Sequence, residues 1–418
     1  MTLGCALLAA ATAAWADDVV PSPDQQKLLD RIKQLEDKVN DLETKSTQAV
    51  EQAGVTAKSL DFLNQVKISG FVSASYVYDF SSPAGLVAGR GFDVNNNQFE
   101  INKVKLALEK PVSQDPSNWI AGFRTDLIVG QDAPLMHSSG LFGGPDSSQD
   151  IDLEQAFVDL NIPIGTGLKI SFGTENSLMG VEQNDEVSNP NLSVGNQFLY
   201  LEPFTQTGLH LAYQWTPLIE TEFIVCNGWD QGRDFNTSKS FFGQLKLTFS
   251  NTQTLTTVGY GGPEEPADNH DWREGVDIVY SGKFGDKFSL WLQGDYGRED
   301  MEGPGATASH ADWYGLGVWE TYDFTDKIEL ALRNDYVKDE QGVRTRVSLP
   351  LFGSFVEEPA SFSSIPEQLY SVTATINYKP VGNLQIRPEV RFDTADSSTA
   401  FNGKKNQTTA ALGVAYLY

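Results

Sequence analysis

The stretch Gln407-Thr-Thr-Ala-Ala-Leu-Gly-Val-Ala-Tyr-Leu-Tyr418 sets the period for the whole chain. Ala410, Leu412, Val414, Tyr416 and Tyr418 share one face of an extended segment, and Thr409, Ala411, Gly413, Ala415 and Leu417 share the other, because side chains alternate along a strand. One face is branched and aromatic, the other small or mildly polar. The segment stops on an aromatic residue with no capping turn. These are the needs of the closing strand of a transmembrane β-barrel: an apolar outward face, an interfacial aromatic ring and a first strand to pair with.

That first strand opens at Val66. Val66, Ile68, Val72, Ala74, Tyr76 and Tyr78 alternate with Lys67, Ser69, Ser73 and Ser75. Between the two ends, period two predicts strands near 98–109, 118–130, 151–162, 167–174, 207–215, 219–228, 240–249 and 252–261, and again near 272–284, 286–297, 311–324, 326–338, 368–378 and 382–394, sixteen in all. The connections at Pro217, Ser250-Asn251, Gly285-Asp286, Thr325-Asp326 and Pro380-Val381-Gly382 are short. Those at 81–97, 131–150, 175–206, 229–239, 262–271, 298–310, 339–367 and 395–406 are long. Alternating short turns and long loops is the habit of an up-and-down outer-membrane barrel, and a globular sandwich has no reason for it. The fold class is therefore all-β, an antiparallel transmembrane barrel of about sixteen strands over 65–418.

Composition fits. Hydrophobic residues make up 40% of the 418 and the mean hydropathy is −0.30, an average that conceals strands in which only alternate residues face lipid. No apolar run approaches the roughly 20 residues of a spanning helix. A net charge of −26 would repel phosphate and argues against a nucleic-acid partner. Cys5 and Cys226 cannot pair in a mature chain if the leader is removed, and four scattered histidines lack metal-site spacing, so no cofactor or metal is expected.

The leader, Leu3 to Trp15, is a short apolar run ending Ala14-Trp15-Ala16, which predicts a signal peptide over 1–16. Linker and helix follow over 17–64. Ser22 as N-cap, Pro23 at the first position and Gln25 in a capping box open a helix. Leu28, Ile32, Leu35, Val39 and Leu42 then step by four and three, a coiled-coil seam. Arg31 with Glu36, and Lys38 with Glu43, have the spacing of interhelical pairs. The seam fades through Ser46, Ala49 and Ala53, and Gly54 is expected to end the helix. About three heptads are marginal alone, so the coil is expected to associate when the barrels bring copies together. An amphipathic helix lying on or in its own barrel is the alternative.

At this point the sequence resembles the β-barrel porin-2 family, the OmpL-like outer-membrane porins. The similarity covers most of 66–418. It rests on Gly173-x-x-x-Ser177-Leu-Met-Gly180-Val-Glu182, Glu202-Pro-Phe-Thr-Gln-Thr-Gly208, Asn227-Gly-Trp-Asp230, Gly261-Gly-Pro-Glu264, Arg333-Asn-Asp-Tyr-Val-Lys-Asp339-Glu-Gln-Gly342 and Arg387-Pro-Glu-Val-Arg-Phe-Asp393, in that order. Where the family has Lys-Phe after the first glycine, this chain has Thr174-Glu175, which alters the local charge. The resemblance implies passive passage of small solutes through the outer membrane. General porins imply a trimer, whereas the β-branched positions of the seam favour a dimer.

A barrel this wide leaves an aqueous lumen. By alternation Lys67, Lys103, Lys105, Arg124, Lys169, Lys246, Arg333, Arg387 and Arg391 point inward, beside Asp126, Asp159, Asp295, Glu329, Asp335, Glu389 and Asp393. They either set a field across a constriction or pair with one another along the wall. The connection 175–206 carries Glu175, Glu182, Asp185, Glu186 and Glu202. In general porins the loop at this place folds into the barrel, so the resemblance implies a constriction there, its carboxylates facing wall cations across a gap. The 339–367 connection, with its apolar Val347 to Phe355, is the rival. His137, His210, His270 and His310 stand beside no recognisable nucleophile, so an enzyme is not expected. A structural tether, with the barrel in outer-membrane lipid and the coil toward the cell wall, is the second function to weigh.

Overall fold

The structure, a computed structural model, describes residues 22–82, 85–138, 150–301, 309–345 and 367–418. The expected leader and the Val347 to Phe355 stretch lie outside them. Two compact units divide after Gln65.

In the first unit Pro23–Leu63 form one helix, α1. Ser22 contributes its carbonyl to the amide of Gln26 (2.9 Å). Leu28, Ile32, Leu35, Val39 and Leu42 are all exposed along it. The helix does not end at Gly54. Glycine in a helix interior costs only about 1 kcal/mol relative to alanine, and the residues around it are good enough helix formers to carry the chain on to Leu63.

The second unit is a closed antiparallel barrel in which every strand pairs with its neighbours in sequence. Its strands are β1 (Lys67–Asp79), β2 (Gln98–Lys110), β3 (Ile120–Val129), β4 (Ile151–Ile162), β5 (Leu168–Asn176), β6 (Thr205–Gln214), β7 (Ile219–Cys226) and β8 (Ser240–Ser250). The circuit continues through β9 (Gln253–Pro263), β10 (Trp272–Phe284), β11 (Phe288–Asp300), β12 (His310–Thr325), β13 (Ile328–Asp339), β14 (Gln368–Tyr378), β15 (Leu384–Ala395) and β16 (Asn406–Leu417). Short helices α2 (Ala133–Met136) and α3 (Asn196–Leu201) sit in long connections.

The barrel closes where β16 meets β1, in a register running from Phe71 opposite Leu417 to Asp79 opposite Thr409. Gly70 and Tyr418 exchange both backbone hydrogen bonds (2.9 and 3.0 Å), and the Tyr418 hydroxyl donates to the Lys105 carbonyl (2.7 Å). A Cβ at residue 70 would strike that carbonyl and that hydroxyl, so only glycine fits. Outward residues such as Ile68, Phe99, Ile101, Leu316, Val390, Leu412 and Tyr416 are exposed apolar groups, as a lipid-facing surface requires. Inward residues are buried and mostly polar.

Of the four places among the described residues where the register shifts, two re-aim lumenal side chains near the β5–β6 connection. Ser73 pairs with Lys103 but Ala74 pairs with Ile101, leaving Asn102 over. Asp126 pairs with Gln155 but Leu127 pairs with Leu153, leaving Glu154 over. A bulge re-aims the side chains around it, and here Asn102 with Lys103, and Glu154 with Gln155, are all buried on the lumenal side.

Candidate pore constriction

The connection from β5 to β6, residues 177–204, folds into the lumen and is held by groups from strands all around it. Its first leg meets β10 and β11, where the Gly180 amide donates to Asp277 (3.1 Å) and the Val181 amide to Gln293 (3.0 Å). Next, Lys103 donates to the Asn184 carbonyl (2.6 Å) and lies 3.4 Å from Glu186, while Ser73 of β1 donates to Glu186. Arg387 then takes the carbonyls of Glu186 (2.6 Å), Asn189 (2.7 Å) and Pro190 (3.1 Å). Glu389 accepts the amides of Leu192 (2.7 Å) and Ser193 (3.2 Å), and Arg391 donates to the Val194 carbonyl (2.6 Å). Finally α3 carries Gln197 to Asp295 (2.5 Å) and leaves Glu202 beside Gln293 (2.6 Å).

Local sequence explains the path. Gly180 sits at φ +84°, a conformation costly for other residues, and a Cβ there would run into the Glu202 carboxylate. The small inward face of β16 makes room: a Cβ on Gly413 would collide with Leu192 of the loop. As the chain leaves the lumen, Asp230 accepts the amides of Phe204 (2.7 Å) and Thr205 (2.9 Å). Burial pushes its carboxyl up to about 6, against those two hydrogen bonds.

The carboxylates and cations expected across a gap are instead in contact. Lys105 lies 2.7 Å from Asp185, 2.9 Å from Asp126 and 3.1 Å from Glu154. Arg333 donates to Glu182 (2.7 Å) and to the Ser193 carbonyl, and forms an ion pair with Asp335 (3.1 Å). Arg391 pairs with Asp393 (2.8 Å), and Lys169 with Asp159 (3.1 Å). No gap separates the groups expected to span one, because in a water-poor interior a bare charge is far costlier than a paired one.

Three placements differ from expectation. Glu175 belongs to β5, not to the loop, and faces His210 of β6 (3.7 Å). Lys67 is exposed at the first residue of β1, six residues or about 20 Å of strand from Ser73, so it stands outside the cluster. Arg124 pairs with Asp126 (2.8 Å) on its own strand rather than with a loop carboxylate.

Towards the long-loop end the lumen is apolar. Leu135 of α2, Leu199, Tyr200 and Leu201 of α3, and Ala88, Trp313, Val337, Leu369 and Phe401 form one buried cluster, with Phe92 and Phe204 against it. Arg344 caps this layer, stacked 4.6 Å over Trp229 and donating to the Tyr200 carbonyl (2.9 Å). Burial, then the nearby Arg273, lower its pKa to about 10.

Space remains on two sides of the loop. A cavity of about 380 Å³ is lined by Trp291, Glu329, Lys379, Asn377 and Gln385 together with loop residues. One of about 240 Å³ is lined by Arg124, Gln155, Asn176, Glu182 and Phe204 among others. Gln183 lines both. Its side chain is exposed between Glu182, ion-paired to Arg333, and Asn184, whose carbonyl accepts from Lys103, and nothing in the sequence distinguished it. Glu154 was also missed, because strict alternation points it outward. Among the described residues no three His, Cys, Asp or Glu side chains are arranged to hold a metal ion.

The family model described as "Putative beta-barrel porin-2, OmpL-like" matches residues 65–418. The chain belongs to this family. No curated protein matches it. Among solved structures, the barrel is similar to an anion-selective porin from Comamonas acidovorans (11% identity, 84% of this chain and 99% of that one, TM-score 0.56). It is similar also to the outer-membrane channel DcaP of Acinetobacter baumannii (11%, 84% and 97%, TM-score 0.54) and to OmpT of Vibrio cholerae in its trimer form (11%, 84% and 99%, TM-score 0.54). At these identities the likeness speaks for the shared porin fold. Family and fold together make this chain an outer-membrane porin.

Proposed function

We propose that small hydrophilic solutes and ions cross this barrel by passive diffusion and that their path runs beside Gln183. The observation that supports it is the pair of polar-lined cavities meeting at that one exposed, uncharged side chain. The loop segment 181–187 is the divider between them, and Glu182, Asp185 and Glu186 act by fixing it to Lys103, Lys105 and Arg333. No step of bond-making is required, so the protein works as a channel and not as an enzyme.

The wall and loop charges largely cancel in pairs, so selectivity falls to the mouths. With −26 overall, counterions gather there and give a weak cation preference that fades as salt screens it. Long loops face outward and short turns the periplasm, with α1 on the periplasmic side. The exposed seam of α1 meets the same seam on other copies, in a trimer or in the dimer its β-branched positions favour. Single-channel recording from the pure protein in a planar bilayer tests the channel. A barrel that conducts nothing would leave the coil-bearing tether as the better account.

A further inference from the structure

The lumenal loop is fastened in two unlike ways. On the β2, β13 and β15 side it is held by cations: Lys105 on Asp185, Lys103 on Glu186, Arg333 on Glu182 and Arg387 on loop carbonyls. On the β10 and β11 side it rests on carboxylates. Glu202 of the loop, Asp277 of β10 and Asp295 of β11 are all at least nine-tenths buried, and none has an ion-pair partner among the described residues. Their donors are Gln293, shared between Glu202 (2.6 Å) and Asp295 (3.1 Å), Gln197 to Asp295 (2.5 Å) and the Gly180 amide to Asp277 (3.1 Å). One oxygen of each carboxyl has no partner. The other titratable groups facing them are Glu182, already bound to Arg333, and Tyr260 of β9. Neither supplies a positive charge.

Three carboxylates so placed cannot all ionise, since like charges in a dry site repel and each loses its hydration. Protons on them provide the missing donors. We propose that Glu202, Asp277 and Asp295 form a proton-held latch that keeps the loop against the β10–β11 wall, and that loss of these protons frees the loop on that side and widens the path. Glu202 is held well above the usual carboxylate range by burial and then by the charge of Asp277. The docked form thus carries more protons than the released one. Docking is complete below the ordinary carboxylate pKa and is lost as pH rises through the raised one. The opposite fastening depends on ionised carboxylates and persists, so the loop swings from one edge rather than leaving the lumen.

This latch builds on the channel assignment, and its test separates the two. Amide exchange of the full-length protein in detergent is followed over 178–182 and 196–202 at pH 6 and pH 8, corrected for the chemical rate. Conductance in planar bilayers is recorded over the same range. One proton lost per release shifts the equilibrium about tenfold per pH unit, so corrected exchange should rise by at least about tenfold between pH 6 and pH 8. Glu202→Gln and, separately, Asp277→Asn supply a permanent amide donor and should each flatten the response, with heat-modifiable migration reporting that the barrel is folded. Equal corrected exchange in the parent at both pH values would overturn the latch. So would variants that keep the parent's pH response. A parent that conducts nothing at any pH but shows the exchange response removes the channel function and supports the latch; one that conducts with flat exchange removes the latch alone.

Discussion

Lys105→Met removes the one cation common to Asp126, Glu154 and Asp185, at 2.9, 3.1 and 2.7 Å. Methionine keeps most of the side chain's volume, so the loss is electrostatic. Asp126 retains Arg124 and Gln155 (2.8 Å each), but Glu154 and Asp185 lose their closest positive neighbour. Removing one partner of a buried pair typically costs about 3–5 kcal/mol. Asp185 is a loop residue, so this cost falls on docking of the loop as well as on the wall. At 1.4 kcal/mol per tenfold, the docking equilibrium shifts by at most roughly two to three and a half orders of magnitude. Amide exchange over 183–190 should accelerate accordingly, and single channels should become larger and noisier, with a stronger cation preference from the freed carboxylates. Adding Asp185→Asn should recover part of the loss, because the repulsion in the cluster falls. Parent-like exchange and conductance in Lys105→Met would show that this cluster does not hold the loop.

Gln183→Trp should cut conductance severalfold without changing barrel stability; an unchanged single-channel current would take the path away from residue 183. Replacing Glu182, Asp185 and Glu186 together by Gln, Asn and Gln should move the reversal potential toward anions, more at 0.01 M than at 1 M salt, where the screening length falls from roughly 30 Å to 3 Å. Ile32, Leu35 and Val39 changed together to Ser should abolish association through α1, seen as a lower oligomer mass or easier thermal dissociation, and unchanged values would exclude α1 from assembly. Gly70→Val should weaken barrel closure by about 1–3 kcal/mol, as overpacking does, and lower the temperature at which migration on a gel changes.

The barrel was legible because its signal is repeated. Sixteen alternating segments between turns of unequal length leave little freedom, and the small face of β16 could be read off Ala411, Gly413 and Ala415 directly. The lumen was legible only in part. Charge sign and inward direction for Lys103, Lys105, Arg333, Arg387 and Arg391 follow from period two, but whether a charge faces open space or a partner depends on how a loop crosses the lumen. Bulges at Asn102 and Glu154 shift the period by one residue, which no alternation count reveals. Gly54 misled because a glycine's local penalty is small beside the helix around it.

The loop's stitching also bears on how this protein can be altered. Among the described residues Arg387 has no carboxylate within ion-pair reach; it spends its donors on Asn377 and on three loop carbonyls, while Glu389 serves two loop amides. Cutting out the loop would therefore strand an arginine and a glutamate on a bare wall. The loop and the strands that hold it, β1, β2, β10, β11 and β13 to β15, form a single module. Transplanting the constriction into another barrel would succeed only if those strands travelled with it.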